Sequence, residues 1–516
     1  MKRLDVLFVV PMNVPDIAVG RVKDAIEPPA KARFMASYLM RRNCSVGLID
    51  PNVTDQTPEE VAEEVKAINP WIVVIHVAGF NPSSSHQTMP SAREAARAIK
   101  NVSPVTPIIF SGIHPTALPE RTLREEPIDF VCGGEGPITV YELLQALKAG
   151  GNIQDLRKVR SLWYWEGKGI AHTAPAPLID LNQEPVSQEA WRLMDPRRYR
   201  AHHWHAFYQE MERRGPYANP FSREGCPFHC SFCDIQTPYR EGEQLQAQPD
   251  RNSYRTLSPK LFVEELTFLV EEFGVRLIKI PDEMFGLGPH PLQIARLIRD
   301  RFDEDWFNIW CYYRIDTCKS ESLDLMRSAG FRWVALGIEA ANSTVRSGQD
   351  KKFSDEHVYK VVEGVHAAGI EGALNYIYGL PGDTEETMQA THDLACALNG
   401  TYGNFYCTQA LPGSQLHRQA TANSYPLPER PGGPGWIGYA QYSYESEPYY
   451  AGDQLTPAEI LRFRDWSHRA YYSRPEYREK LLRNAYLGPK ALESIEEWMQ
   501  AIAPDKLKRK LLEQQN

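Results

Sequence analysis

The stretch CPFHCSFC, residues 226–233, holds three cysteines, Cys226, Cys230 and Cys233, with the spacing Cys-x3-Cys-x2-Cys. A structural zinc site takes four ligands, usually in two separated pairs. No second Cys-x2-Cys or His-x3-His lies nearby, and His229, adjacent to Cys230, is badly placed to turn to the same ion. A thiol–disulfide redox pair needs only two cysteines. An iron–sulfur cube has four irons, each normally held by one thiolate. Three cysteines therefore leave one iron open, and a substrate or cofactor can chelate there.

Outward from the cysteines, the chain alternates short apolar runs with helical segments. SPKLFVEELTFLVEEFG (258–274) has Ser258 as N-cap, Pro259 at the first helical position and Gly274 after the end. VRLIKIPDEMF, FNIWCYYRID, WVALGIEAAN, EGALNYIYGLPGDT and NFYCTQALPGSQL follow as strand-like runs, each ending in polar residues. Repeated β–α units predict a parallel sheet whose chemistry sits at the carboxyl ends of its strands. Asp282 and Glu283, Arg314 and Asp316, Glu339 and the GLPGDT turn occupy those ends.

Residues 1–150 hold five further apolar runs: LDVLFVVP, CSVGLIDPN, WIVVIHVAGF, TPIIFSGIHPT and IDFVCGGEG. They predict an open doubly wound sheet. Neither a Gly-x-Gly-x-x-Gly nor a Gly-x4-Gly-Lys follows the first strand, which disfavours a nicotinamide or flavin dinucleotide and a P-loop nucleotide.

The Cys-x3-Cys-x-aromatic-Cys pattern, with Phe232 before the last cysteine, resembles the signature of the radical S-adenosylmethionine enzymes. The resemblance implies a [4Fe-4S] cluster on Cys226, Cys230 and Cys233, whose fourth iron binds the amino and carboxylate groups of S-adenosylmethionine. An electron from the cluster would split the sulfonium and give a 5′-deoxyadenosyl radical. Phe232 would lie against the adenine. Asp282 and Glu283 resemble the acidic pair ending the second barrel strand, and Arg314 a polar contact to the cofactor carboxylate. Glu339 would lie near the ribose or methionine moiety, and Tyr376 and Gly379 in the fifth-strand motif.

The order SGIHPTALPE, then DFVCGGEGPITVYELL, then the cysteines resembles the cobalamin-binding subclass of that family, the class B methyltransferases among them. It implies a cobalamin side built from Ser84, Gly112, His114, Gly133, Gly134 and Glu135, with the glycine-rich CGGEG letting the corrin approach the backbone. The Asp-x-His-x-x-Gly that carries a cobalt ligand in many cobalamin proteins is absent. His76-Val77-Ala78-Gly79 supplies only part of it, so the lower axial position is left open. The activity implied is methylation of an unactivated carbon of a small molecule, with an external electron donor of flavodoxin or ferredoxin type. The alternative keeps both cofactors without net methylation, as in ring contraction or oxidative cyclisation.

The expected fold class is α/β: a doubly wound, Rossmann-like cobalamin-binding domain (1–150), a linker (151–215), a partial (β/α)6 TIM-like barrel (216–415) and a small helical C-terminal domain capping the barrel mouth (416–516). Composition agrees with a soluble globular chain, at 42% apolar and 24% charged residues. A net charge of -9 argues against a nucleic-acid binder. No apolar run is long enough to span a membrane, and MKRLDVLFVVPMN reads as a first strand rather than a signal peptide. The remaining six cysteines are scattered, which fits a reducing cytoplasm. His202, His203 and His205 read as surface packing rather than a metal site. Tyr442, Tyr444, Tyr449 and Tyr450 are placed either in a substrate pocket or in the core, and PDKLKRKLLEQQ reads as a solvated basic helix.

Overall fold

The computed structural model describes residues 3–12, 25–79, 81–240, 252–452, 455–484, 486–501 and 510. The PDKLKRKLLEQQ helix lies outside the described residues, apart from Lys510.

The first sheet comprises β1 (Val6–Val9), β2 (Val46–Ile49), β3 (Ile72–His76), β4 (Ile108–Ser111), β5 (Phe130–Cys132), β6 (Leu162–Glu166) and β7 (Gly169–His172), in the order β2-β1-β3-β4-β5-β6-β7. Pairing is parallel from β2 to β5. Both faces are covered, so the strands are apolar throughout rather than alternating. Val6 and Phe8 pack with Met35, Leu39 and Leu143 on one side. Leu7 and Val9 pack with Val61, Val65 and Ile99 on the other. The helix Pro58–Ile68 starts at a capping box between Thr57 and Glu60.

The hairpin β6–β7 corrects the expected boundary at 150. It pairs antiparallel with β5, Cys132 opposite Leu162, and extends the sheet to His172. Gly150 and Gly151, both with positive φ, turn the chain within the same unit.

The second sheet holds β8 (Tyr217–Ala218), β11 (Leu277–Lys279), β12 (Asn308–Arg314), β13 (Phe331–Glu339), β14 (Glu371–Tyr378) and β15 (Tyr402–Cys407), six parallel strands in sequential order. A separate hairpin, β9 (Arg223–Gly225) with β10 (Tyr254–Thr256), flanks the cysteine loop. Crossover helices such as Pro259–Phe273 and Glu385–Leu398 cover the outer face. Side chains alternate along the strands. On β14 and β15, Asn375, Ile377, Asn404 and Tyr406 face the concave side, while Tyr376 and Tyr378 stack on Phe405 in the outer core.

The segment between the sheets is not a spacer. Trp191 is fully buried, donates to Glu265 (2.7 Å) and lies under the guanidinium of Arg33. Trp204 enters the concave side of the half-barrel and packs on Trp310, Trp333 and Tyr402. His205 is buried and exchanges hydrogen bonds with Asn308. The C-terminal helices also depart from a cap. Pro457–Tyr472 runs along β15, with Tyr472 bonded to Gly403 and Ser467 to Tyr378. The covering over the strand ends comes instead from the irregular segment around the 3-10 turn Gly435–Tyr439, which meets the turn His86–Thr88 of the first domain.

Ion pairs join the two sheets. Arg255 donates to both oxygens of Glu135 (3.3 and 2.5 Å) and to the carbonyl of Ile179. Arg255→Met would strand a buried carboxylate, so we expect a loss of about 3–5 kcal/mol in stability, read as a lower denaturation midpoint.

Candidate active site

A cavity of about 670 Å³ lies between the carboxyl ends of the two sheets, within the size range of small-molecule sites. The cysteine loop forms one wall, with Cys226, Cys230 and Cys233 all lining the cavity. None of the three is in a disulfide. Burial raises the Cys226 thiol to about 12 and pushes Cys230 and Cys233 upward as well. Such thiols are neutral when free and become thiolates only against strong positive charge.

The loop is pinned from several sides. Gln236 donates to the carbonyl of Cys226 (2.7 Å), and Asn252 to that of Phe228 (2.5 Å). The amide of His229 donates to Asp350, and Ser231 bonds Gln349. Three sulfur donors held on one loop, facing one cavity, fit an iron–sulfur cluster with one iron left open.

Several expected cofactor residues share this cavity: Phe232, Glu283, Arg314, Glu339 and Ser84. Arg314 makes a bidentate pair with Asp316 (2.9 Å each), donates to the carbonyl of Asp350 and reaches Cys230 Sγ at 3.5 Å. Its guanidinium lies over Phe228. It thus positions the loop as well as facing the cavity. Glu283 has its carboxyl raised to about 7, chiefly by burial, with Lys279 opposing the shift. Glu339 ends β13 at a register shift with φ +68°, and its carboxylate pairs with Lys351 (2.5 Å). A side chain other than Gly in that region costs about 1–3 kcal/mol and marks a functional constraint more often than chance.

Other expected residues lie elsewhere. Asp282 turns away from the cavity and accepts from the amide and hydroxyl of Ser222 (2.9 and 2.5 Å), bracing the start of the cysteine segment. Tyr376 faces the outer core. Gly379 has φ +76°, its amide donates to Asp383, and a Cβ there would meet Ile460 at 2.5 Å, so packing accounts for it.

On the first domain the corrections are larger. A Cβ on Gly133 would strike Trp163, one on Gly112 the carbonyl of Val77, and one on Gly136 the sulfur of Met35. Packing against the protein's own atoms is enough to require glycine at Gly112, Gly133 and Gly136. Gly134 and Glu135 lie beside Ile179 and Pro177, away from the main cavity. His114 is buried; its Nδ1 meets His86 Nδ1 (3.0 Å), and His86 Nε2 meets Asp234 (2.9 Å). His76 Nδ1 meets the Ser111 hydroxyl (3.0 Å). The cavity wall on this side is built from Met12, Asn52, Asn81–Ser84 and Gln87, at the carboxyl ends of β1, β2 and β3. This is where an open doubly wound sheet presents a ligand site, and its neutral polar side chains suit the amide-fringed corrin of cobalamin.

Lys351, Asn375, Asn404 and Gln409 also line the cavity and were not singled out in the sequence.

Two family models match the chain. The Radical SAM superfamily covers residues 222–395 and the B12 binding domain residues 17–144. The chain is a cobalamin-binding radical S-adenosylmethionine enzyme. Its cofactors are accordingly a [4Fe-4S] cluster, S-adenosylmethionine and cobalamin. An uncharacterized methyltransferase of Pyrococcus horikoshii is 27% identical over 82% of this chain and 84% of its own length. The anaerobic magnesium-protoporphyrin IX monomethyl ester cyclase of Rubrivivax gelatinosus is 27% identical over 76% of this chain and 66% of its own. Among solved structures, the radical S-adenosylmethionine methyltransferase TsrM of Kitasatospora setae, with tryptophan and a cofactor analogue bound, superposes with a TM-score of 0.67 at 17% identity, covering 99% of this chain and 100% of that one. The cobalamin-dependent radical enzyme OxsB gives 0.67 at 14% identity, covering 96% and 71%. At these identities the structural likeness carries the fold. No helix among the described residues is long and apolar enough to cross a membrane.

Proposed function

We propose that this enzyme methylates an unactivated carbon of a small molecule. One observation carries the reading: the three free thiols and the strand-end loops of the B12 domain face the same cavity, so a substrate between them meets both cofactors. When bound, the cluster and S-adenosylmethionine supply hydrogen-atom abstraction, and cobalamin supplies methyl transfer. The chain's own work is holding and screening. Arg314, Asp350 and Gln236 fix the cysteine loop. The turn Gly435–Tyr439 and the Trp204 segment close the cavity from two sides and limit water. The methyltransferase relative from Pyrococcus horikoshii supports the same reaction class. An external one-electron donor of flavodoxin or ferredoxin type and a cytoplasmic setting belong to this reading; six further cysteines, dispersed and in no disulfide, support the reducing setting. The net charge of -9 gives no support to a nucleic-acid substrate.

The test uses S-adenosylmethionine carrying a trideuteromethyl group, with reconstituted enzyme and candidate substrates. We expect a product bearing the label, with 5′-deoxyadenosine and S-adenosylhomocysteine formed in equal amounts. Substrate-dependent 5′-deoxyadenosine without label in the product would favour the second reading, oxidative cyclisation or ring contraction, which the cyclase relative keeps in view.

A further inference from the structure

We propose that the part of the substrate entering the half-barrel is a flat ring system without a negative charge, bearing a paired hydrogen-bond donor and acceptor, as in a lactam. This rests on the cavity being the substrate site. Asn375 on β14 and Asn404 on β15 are in register, and the amide nitrogen of Asn404 donates to Asn375 Oδ1 (2.9 Å). Each amide has two functions, and the pair uses one of each. One donor and one acceptor remain, side by side, on residues that line the cavity. Exchanging the oxygen and nitrogen of both amides leaves the same pattern, so the inference does not depend on their assignment. The interior of a parallel barrel is normally filled by branched apolar side chains, whereas here two half-buried amides on adjacent strands face the cavity.

Gln409, just past the end of β15, repeats the pattern. It is 6% exposed, lines the cavity, and neither its Oε1 nor its Nε2 has a partner among the described residues. A ligand with adjacent donor and acceptor satisfies such an amide in both functions at once.

The walls supply flatness. Trp204 packs on Trp310 with ring centroids 4.1 Å apart and planes tilted by 50°, and both line the cavity together with Tyr402 and Trp498. Aromatic faces of this kind favour planar guests. Charge is withheld from the same region. Among the described residues, the lysines and the arginine of the lining are already paired: Lys279 with Glu27, Lys351 with Glu339 and Arg314 with Asp316. The lining carboxylates Glu283 and Asp234 add only negative charge. A substrate carboxylate against β14 and β15 would shed water and meet no lysine or arginine without a partner.

The test reads binding alone, so it can fail without bearing on methyl transfer. Holoenzyme is titrated calorimetrically with three bicyclic probes: oxindole, indane and indane-2-carboxylate. We expect oxindole to bind roughly ten-fold more tightly than indane, the worth of one or two neutral hydrogen bonds, and the carboxylate most weakly. The volume-conserving double variant Asn375→Leu/Asn404→Leu should lower oxindole to the level of indane and leave cluster and cobalamin absorbance intact. If that variant fails to fold, Gln409→Met takes its place with a smaller drop expected. The proposal is overturned if oxindole does not bind at millimolar concentration, if it binds no better than indane, if the carboxylate binds best, or if the variants keep the preference for oxindole.

Discussion

Replacing Cys226, Cys230 and Cys233 together by alanine is expected to give a protein without iron–sulfur absorbance and without any cleavage of S-adenosylmethionine. The three sulfurs lie together on one loop of the cavity wall, whereas Cys407, which also lines the cavity, is on β15; each of the three would hold a different iron. Cobalamin binding should persist, because its wall comes from the strand ends of the first domain. Anaerobic iron analysis and absorbance spectroscopy decide the matter, and four irons retained in the triple variant would refute the assignment. The pKa directions add a pH dependence. Burial holds all three thiols in the protonated form through the neutral range, Cys226 up to about 12. Cluster assembly on the apoprotein must therefore expel protons, and the apparent affinity for iron should rise with pH. Reconstitution yield that is flat or falling from pH 7 to pH 9 would contradict this.

The half-barrel was legible because its strand ends carry their own marks. Leu277–Lys279, Asn308–Arg314 and Glu371–Tyr378 fall within apolar runs read from the sequence, and Phe331–Glu339 and Tyr402–Cys407 each begin two residues before theirs. The phase within each strand was not legible. Strands buried on both faces lose polar alternation, so nothing local separates Asp282, which braces Ser222, from Glu283, which faces the cavity. The same loss put Tyr376 at the cofactor in place of its neighbours Asn375 and Ile377. Glycine misled for a related reason. A required glycine reports crowding, and at Gly133 the crowding atom belongs to Trp163 on a hairpin that the sequence seemed to leave outside the domain. Pairs far apart in the chain, such as Glu135 with Arg255 and His86 with Asp234, leave no local trace. Trp204 sits in a stretch whose histidines drew the eye toward metal binding or surface packing, while its tryptophan fills the barrel.

Glu339→Gln is expected to weaken S-adenosylmethionine binding by roughly 10- to 150-fold, the worth of one charged hydrogen bond. The side chain ends β13 with φ +68°, and this strained backbone aims its carboxylate into the cavity. Burying that charge without a donor would be prohibitive, and Lys351 supplies one, while also donating to the carbonyl of Gly337 (2.9 Å). Lys351 therefore makes the charge affordable without neutralising its role: Oε1 takes the ammonium, and Oε2 has no partner among the described residues. Glutamine keeps the shape and an acceptor but removes the charge, and Lys351 keeps its bond to Gly337, so the fold and the cluster should survive. Lys351→Met provides the opposite control. It leaves the buried carboxylate without its ammonium partner, so a loss of about 3–5 kcal/mol in stability is expected alongside any loss of S-adenosylmethionine affinity. Calorimetric titration of both reconstituted variants separates the cases. If Glu339→Gln binds S-adenosylmethionine as tightly as the unaltered enzyme, the carboxylate serves only as a counter-ion for Lys351.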